Sequence, residues 1–195
     1  MRLLLLTDSH GRGMPEELLQ HDDTLRIHHI LIGGKLSEIR GEYRRCLSDI
    51  LQFRPTTILI HCGHNDVNYD EGRNPYPKYH RVVVHQLREM VTECNVNHPR
   101  ARVFVSSLLP RVYGHRYSME DSLRYNRLAK RFGELVKNAA RLQDPRFVYV
   151  LNGRVWADMS IGEPKPMYYR PDGLHLNPMG MYHLGRSWYE AICNQ

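Results

Sequence analysis

Nowhere in the 195 residues does an apolar run approach the roughly 18 positions needed to span a bilayer. The opening Met-Arg-Leu-Leu-Leu-Leu is too short for the apolar region of a signal peptide and is interrupted at Asp8. A soluble, cytoplasmic protein is therefore expected. Cysteine is scarce and scattered. Cys46, Cys62, Cys94 and Cys193 form no CxxC pair, which argues against a zinc site built on thiolates and leaves four reduced thiols as the expectation. No dense block of lysine or arginine occurs either. The net charge of +6 is spread over pairs such as Arg44-Arg45 and Lys130-Arg131, the pattern of a solvated basic surface rather than of a nucleic-acid groove. Repeats, low-complexity segments and linkers are missing, so one domain over residues 1–195 is expected, large enough to bury a substantial core.

Short apolar, β-branched runs alternate instead with longer amphipathic stretches. Residues 2–7, 25–31, 57–62, 102–107 and 147–151 are mostly apolar at consecutive positions, as a strand buried on both faces requires. Between them, 35–53, 79–95 and 119–142 carry apolar residues at helical spacing, for example Leu87, Met90 and Val91. A last helix is predicted over 178–192, with Asn177 as N-cap and Pro178 at the first helical position. Strand and helix in alternation mean right-handed crossovers, a parallel sheet of about five strands and a three-layer α/β/α sandwich.

In such sheets chemistry sits beyond the carboxyl ends of the strands. There the sequence places Thr7-Asp8-Ser9-His10 after the first strand, Gly33-Gly34-Lys35 after the second and Gly63-His64-Asn65-Asp66 after the third. Two chemistries compete for these turns. Asp8-Ser9-His10-Gly11 fits the DxHG turn of metallophosphoesterases, with Asp8 and His10 as metal ligands. That reading also needs a GDxxD turn, which does not occur, and a GNH[DE] turn, whose letters are here in another order. The second chemistry makes Ser9 a nucleophile and needs a base, an orienting carboxylate and oxyanion donors. Asp172 and His175, three residues apart in a turn before a helix, supply the first two, because the carboxylate can hold Nδ1 and leave Nε2 facing a serine. Donors would be the backbone N–H of Ser9, that of a glycine after the second strand, and the side-chain amide of Asn65. Gly33 directly follows that strand, and Gly34 is its alternative.

Ser9, the glycine pair, Asn65 and His175 stand in the order that names the SGNH hydrolase superfamily of GDSL-like esterases and lipases. The chain resembles that superfamily in TDS (Thr7 replacing the usual glycine), in Gly63-His64-Asn65-Asp66 for GxND, in Asp172-Gly173-Leu174-His175 for DxxH, and in His-Leu-Asn-x-x-Gly through Gly180. The resemblance implies a flavodoxin-like fold, no metal or other cofactor, and hydrolysis of a carboxylic ester, acetyl or longer, through an acyl-Ser9 intermediate. It makes His175 the base, Asp172 its orienter, and a small-molecule, sugar or lipid ester the substrate. Small SGNH-like domains also resemble parts of larger polyproteins, which gives a second expectation: a module associating with anionic lipid or nucleic acid and having weak esterase activity.

Among the remaining residues, His10 and His64 are expected to line the pocket and Asp66 to brace its loop through the backbone. His28-His29 belong to a sheet edge or surface. Tyr113, His115, Arg116 and Tyr117, with Tyr168, Tyr169 and Arg170, are aromatic and basic residues on loops that pack or contact substrate. The loops that would set specificity, 68–80, 111–119 and 156–170, carry no readable code.

Overall fold

A computed structural model describes residues 1–68, 76–115, 117–141, 147–150, 152, 156–158 and 163–194. In chain order the elements are β1 (Arg2–Thr7), α1 (Met14–His21), β2 (Arg26–Leu31), α2 (Leu36–Arg45), α3 (Leu47–Phe53), β3 (Thr57–His61), α4 (His64–Asn68), α5 (Tyr76–Asn97), β4 (Arg102–Ser106), α6 (Met119–Arg141), β5 (Phe147–Val150), a short antiparallel pair β6 (Trp156–Asp158) and β7 (Glu163–Pro164), and α7 (Pro178–Cys193). All five main strands are parallel, in the order β2-β1-β3-β4-β5. That is the flavodoxin-like order, which leaves a crevice between the carboxyl ends of β1 and β3, where the chain reverses its direction of travel across the sheet.

Successive side chains of a strand point to opposite faces. Leu4 and Leu6 of β1, Ile58 and Ile60 of β3, and Val103 and Val105 of β4 pack with Leu36, Ile50, Met90 and Phe132 from the helices α2, α3, α5 and α6. Leu3, Leu5, Leu59 and Phe104 face the other way and meet Met14 and Leu18 of α1 and Leu184 and Trp188 of α7. Each strand thus serves two cores, and this is why its sequence is apolar at every position rather than at alternate ones.

Several elements, α4 and the β6–β7 pair among them, are absent from the sequence reading, and two longer helical stretches differ from it. The sequence pattern predicts no element over 13–24, where α1 forms. Gly13 takes the left-handed conformation (φ 82°) ahead of it, Pro15 sits in the first turn, and Glu16 and Glu17 place negative charge at the helix N-terminus. The single helix expected over 35–53 is two, α2 and α3, with Cys46 between them. The last helix begins as the sequence indicates: the Asn177 side chain accepts a hydrogen bond from the Gly180 N–H at 3.0 Å. No helix among the described residues is long and apolar enough to cross a membrane.

Candidate active site

Three turns converge where β1, β2 and β3 end. The ladder continues one step past the strands, with Asp8 N–H donating to His61 O and Ile32 N–H to Thr7 O, both at 3.1 Å. This delivers Ser9, Gly33 and the 63–65 turn to one edge. Thr7, which stands where the resembled superfamily has glycine, is fully buried and its hydroxyl lies 2.7 Å from His29 Nε2 on β2, the edge strand. Ser9 opens a single 3-10 turn capped by the Asp8 side chain. As the first residue of that turn its N–H has no partner within it, and neither Ser9 nor Gly33 nor Gly34 donates its N–H to an acceptor among the described residues.

Asn65 joins two of the turns. Its side-chain nitrogen donates to Gly33 O at 3.2 Å and Gly34 O at 3.0 Å. A Cβ on Gly33 would meet nothing within 4 Å, whereas one on Gly34 would run into the Glu38 carboxylate, which caps α2 by accepting from Lys35 N–H. Gly33 is therefore the glycine that faces open space. Asp66 does brace the backbone: its buried carboxylate accepts the Leu36 N–H at 2.9 Å, and burial raises its pKa despite that bond.

The loop that carries Asp172 and His175 is a tight turn closed by Arg170 N–H to His175 O at 2.8 Å. One Asp172 oxygen accepts the N–H groups of Leu174 (2.9 Å) and His175 (3.0 Å), and the other lies 2.7 Å from His175 Nδ1. Burial pulls the Asp172 carboxyl upward, but these bonds outweigh it and hold the group at about 2. An ionised Asp172 requires the proton on Nδ1 of a neutral His175, leaving Nε2 as a free base. Gly173 makes the turn. It has φ 69°, and a Cβ there would lie 2.2 Å from Val112 O. The segment after β4 clasps this loop through Val112 N–H to Gly173 O (3.0 Å) and His115 N–H to Pro171 O (3.1 Å).

No hydrogen bond joins the Ser9 hydroxyl to the His175 ring among the described residues, and His10, next to Ser9 in the chain, links the two turns. Its ring stacks on that of His175 with centroids 5.5 Å apart, and on His64 at 3.9 Å. Sequence reasoning treated His10 and His64 as pocket lining and missed their common partner. Asp8, with no exposure, accepts the His10 N–H (3.1 Å) and lies 3.0 Å from His10 Nδ1 and 2.7 Å from His64 Nδ1. Burial favours its neutral form, but the two imidazoles prevail and its pKa falls well below the carboxylate range. His64 Nε2 in turn accepts the Leu109 N–H at 2.8 Å, so the His64 proton must be on Nδ1. Burial pushes this imidazole down to about 4, against the pull of Asp8.

Asp8, His61 and His64 bring three donor atoms within 4.8 Å of one another, and such a trio could be taken for a metal site. The donor chemistry does not fit one. Nε2 of His64 is occupied by a backbone N–H and Nδ1 carries a proton to Asp8, so His64 has no lone pair to give. Asp8 and His10, the pair of the metallophosphoesterase reading, are likewise engaged with each other.

The loops named for specificity are described in part. Arg111 is buried, its guanidinium 4.4 Å from the Tyr117 ring centroid and 3.8 Å from that of Tyr125, and Tyr169 donates its hydroxyl to Pro110 O. These aromatics pack loops. Arg116, residues 69–75 of the first specificity loop, and 159–162 of the last lie outside the described residues.

The family model of the GDSL-like lipase/acylhydrolase family matches residues 7–182. Among curated proteins none matches the chain in sequence. Among solved structures, the fold is similar to that of a protein assigned as an acylhydrolase from Bacteroides fragilis (15% identity, TM-score 0.74, 99% of this chain and 86% of the other). It is also similar to a lipase from a goat rumen metagenome (13%, TM-score 0.72, 98% and 97%). A third is the acetylxylan esterase Axe2 of Geobacillus stearothermophilus (17%, TM-score 0.68, 98% and 94%), solved there as a catalytic mutant.

Proposed function

This chain belongs to the GDSL-like lipase/acylhydrolase family and is a carboxylic ester hydrolase, and on that premise we propose that it cleaves its ester through an acyl intermediate on Ser9, without a metal. One observation carries the reading: the Asp172–His175 pair, at 2.7 Å, presents its ring against His10, the neighbour of Ser9. Asp172 fixes the proton on Nδ1, so Nε2 takes the Ser9 proton as the hydroxyl oxygen attacks the ester carbonyl. The negative charge that develops on the carbonyl oxygen falls to the N–H groups of Ser9 and Gly33 and to Asn65. An amide nitrogen carries two hydrogens. The nitrogen lies 3.2 and 3.0 Å from the carbonyls of Gly33 and Gly34, and in this mechanism one hydrogen turns from them to the oxyanion. The imidazolium then protonates the departing alcohol, and Nε2 next deprotonates the water that releases the acid from Ser9.

The substrate in this proposal is an acetyl or other acyl ester of a small molecule, sugar or lipid. A cytoplasmic setting belongs to the same proposal, and the unbridged Cys46, Cys62, Cys94 and Cys193 suit a reducing compartment. A panel of p-nitrophenyl esters of increasing chain length tests the mechanism. Wild-type hydrolysis should survive EDTA and be abolished by a serine-directed fluorophosphonate that labels Ser9, and Ser9→Ala should be inactive toward every ester. An active Ser9→Ala protein, or activity lost to EDTA and restored by manganese, would overturn it.

A further inference from the structure

At the end of the sheet opposite Ser9, the first residues of β1 and β2, Arg2 and Arg26, are partners in the parallel register. Register partners project from the same face, about 5 Å apart, and here that face is the one covered by α3. Arg54, just past α3, completes a cavity of about 720 Å³ whose walls also include Leu51, Gln52 and Phe53. Three arginines thus line one hollow, and no acidic residue does. Among the described residues none of the three forms an ion pair. Arg40 and Arg44 on α2, by contrast, are both tied to Glu93 of α5.

The hollow is also held in shape. Arg54 is the one described non-glycine residue with positive φ, at 53°. In that left-handed conformation, disfavoured for a side chain, its N–H caps α3 by donating to Ile50 O at 3.0 Å. Its carbonyl accepts the Arg2 Nε–H at 2.6 Å. The bond anchors the Arg2 guanidinium through one nitrogen and leaves its two terminal nitrogens, like the whole guanidinium of Arg26, without a protein acceptor among the described residues.

We propose that this cavity is a second binding site, for a phosphate group carried on a partly apolar small molecule. Guanidinium forks match phosphate oxygens in pairs, and three fixed positive charges suit a di- or trianion better than a single carboxylate. The volume is that of a small-molecule pocket rather than of an ion site. Leu51, 46% exposed, and Phe53 offer an apolar wall beside the charges. The six residues of β1 separate the cavity from Ser9 by about 20 Å at roughly 3.3 Å per residue, so occupancy of the two sites can be read independently.

Calorimetric titration of the whole chain at low ionic strength tests this with inorganic pyrophosphate, ADP and dihexanoyl phosphatidate. One equivalent of ADP or of the phosphatidate should bind at least tenfold more tightly than pyrophosphate. Whichever of the two is tighter identifies a nucleotide or a lipid as the carrier of the phosphate. Arg26→Ala should weaken binding at least tenfold and Arg26→Glu abolish it, with hydrolysis of p-nitrophenyl acetate unchanged. Arg54→Gly relieves the left-handed backbone while removing a guanidinium, so it should keep or raise the thermal midpoint and still weaken binding tenfold. Any of three results overturns the site: no binding at millimolar ligand, equal binding by wild type and a folded Arg26→Glu protein, or binding blocked by phosphonylation of Ser9.

Discussion

Exchanging Asp8 for asparagine removes one charge and turns one acceptor oxygen into a donor, at a position with no exposure to solvent. Both native oxygens face only donors: His10 N–H and the His10 ring on one, the His64 ring on the other. If the asparagine carbonyl takes the His10 side, its NH₂ confronts the Nδ1–H of His64. His64 cannot escape by moving its proton, because Nε2–H would then oppose the Leu109 N–H. If the amide is flipped, its NH₂ confronts the His10 backbone N–H, which has no alternative form. Every arrangement strands at least one buried donor. A lost charge-assisted bond is worth about 1.5–3 kcal/mol and a stranded buried donor a further 1–3 or so, so Asp8→Asn should destabilise the fold by about 3–5 kcal/mol. For a chain of this length that lowers the thermal midpoint by on the order of 10 °C. Urea unfolding at pH 7, with an unchanged m-value, measures it. The acid side adds a second signature. The pKa of Asp8 is depressed in the fold, so its contribution is complete above its ordinary value of about 3.9 and is lost as pH falls through the folded value. Wild type and variant should therefore converge at low pH. A folded Asp8→Asn protein within about 1 kcal/mol of wild type, the size of an ordinary substitution, would refute this account of the cluster.

His64, neutral in the fold down to about pH 4, takes up a proton on unfolding below its ordinary value of about 6.5. Stability should thus rise with pH between about 4 and 6.5, and His64→Gln should lower that slope by up to about 1.4 kcal/mol per pH unit; an unchanged slope in urea titrations would contradict the assignment. Asn65→Ala should reduce kcat by on the order of 10²–10³ with little change in KM, and cost about 1 kcal/mol from the bonds to Gly33 and Gly34. Loss of stability with kcat reduced less than tenfold would leave Asn65 a turn-former only. Gly173→Ala should collapse turnover, because its Cβ would strike Val112 O and displace the Asp172–His175 turn; steady-state kinetics on the folded variant, with near-normal kcat as the refuting result, checks this.

The sequence by itself determined the layered fold and the order of the candidate site residues along the chain. Strands buried on both faces must be apolar throughout, so Leu3–Leu6 announced β1 without any knowledge of its neighbours. Asp172 and His175 are close because three residues of one turn separate them, a local relation that spacing reveals. The helix α1 escaped because its left-handed Gly13 and early Pro15 resemble loop residues until the apolar face of Met14 and Leu18 finds Trp188 and Leu184 of α7. The break at Cys46 left no mark in the helical spacing of 35–53.

What only the tertiary structure decided is that His64 is neutral, which tautomer it holds and what it touches. His64 meets Asp8 across 56 positions of chain and Leu109 across 45, and His10 gains its place beside His175 from the opposite end of the sequence. Arg2, Arg26 and Arg54 share a cavity because β1 and β2 start in register and α3 ends above them. An imidazole's protonation and a guanidinium's partner are set by the donors, acceptors and solvent within a few ångströms, and in a parallel sheet those neighbours come from crossovers that no local pattern encodes.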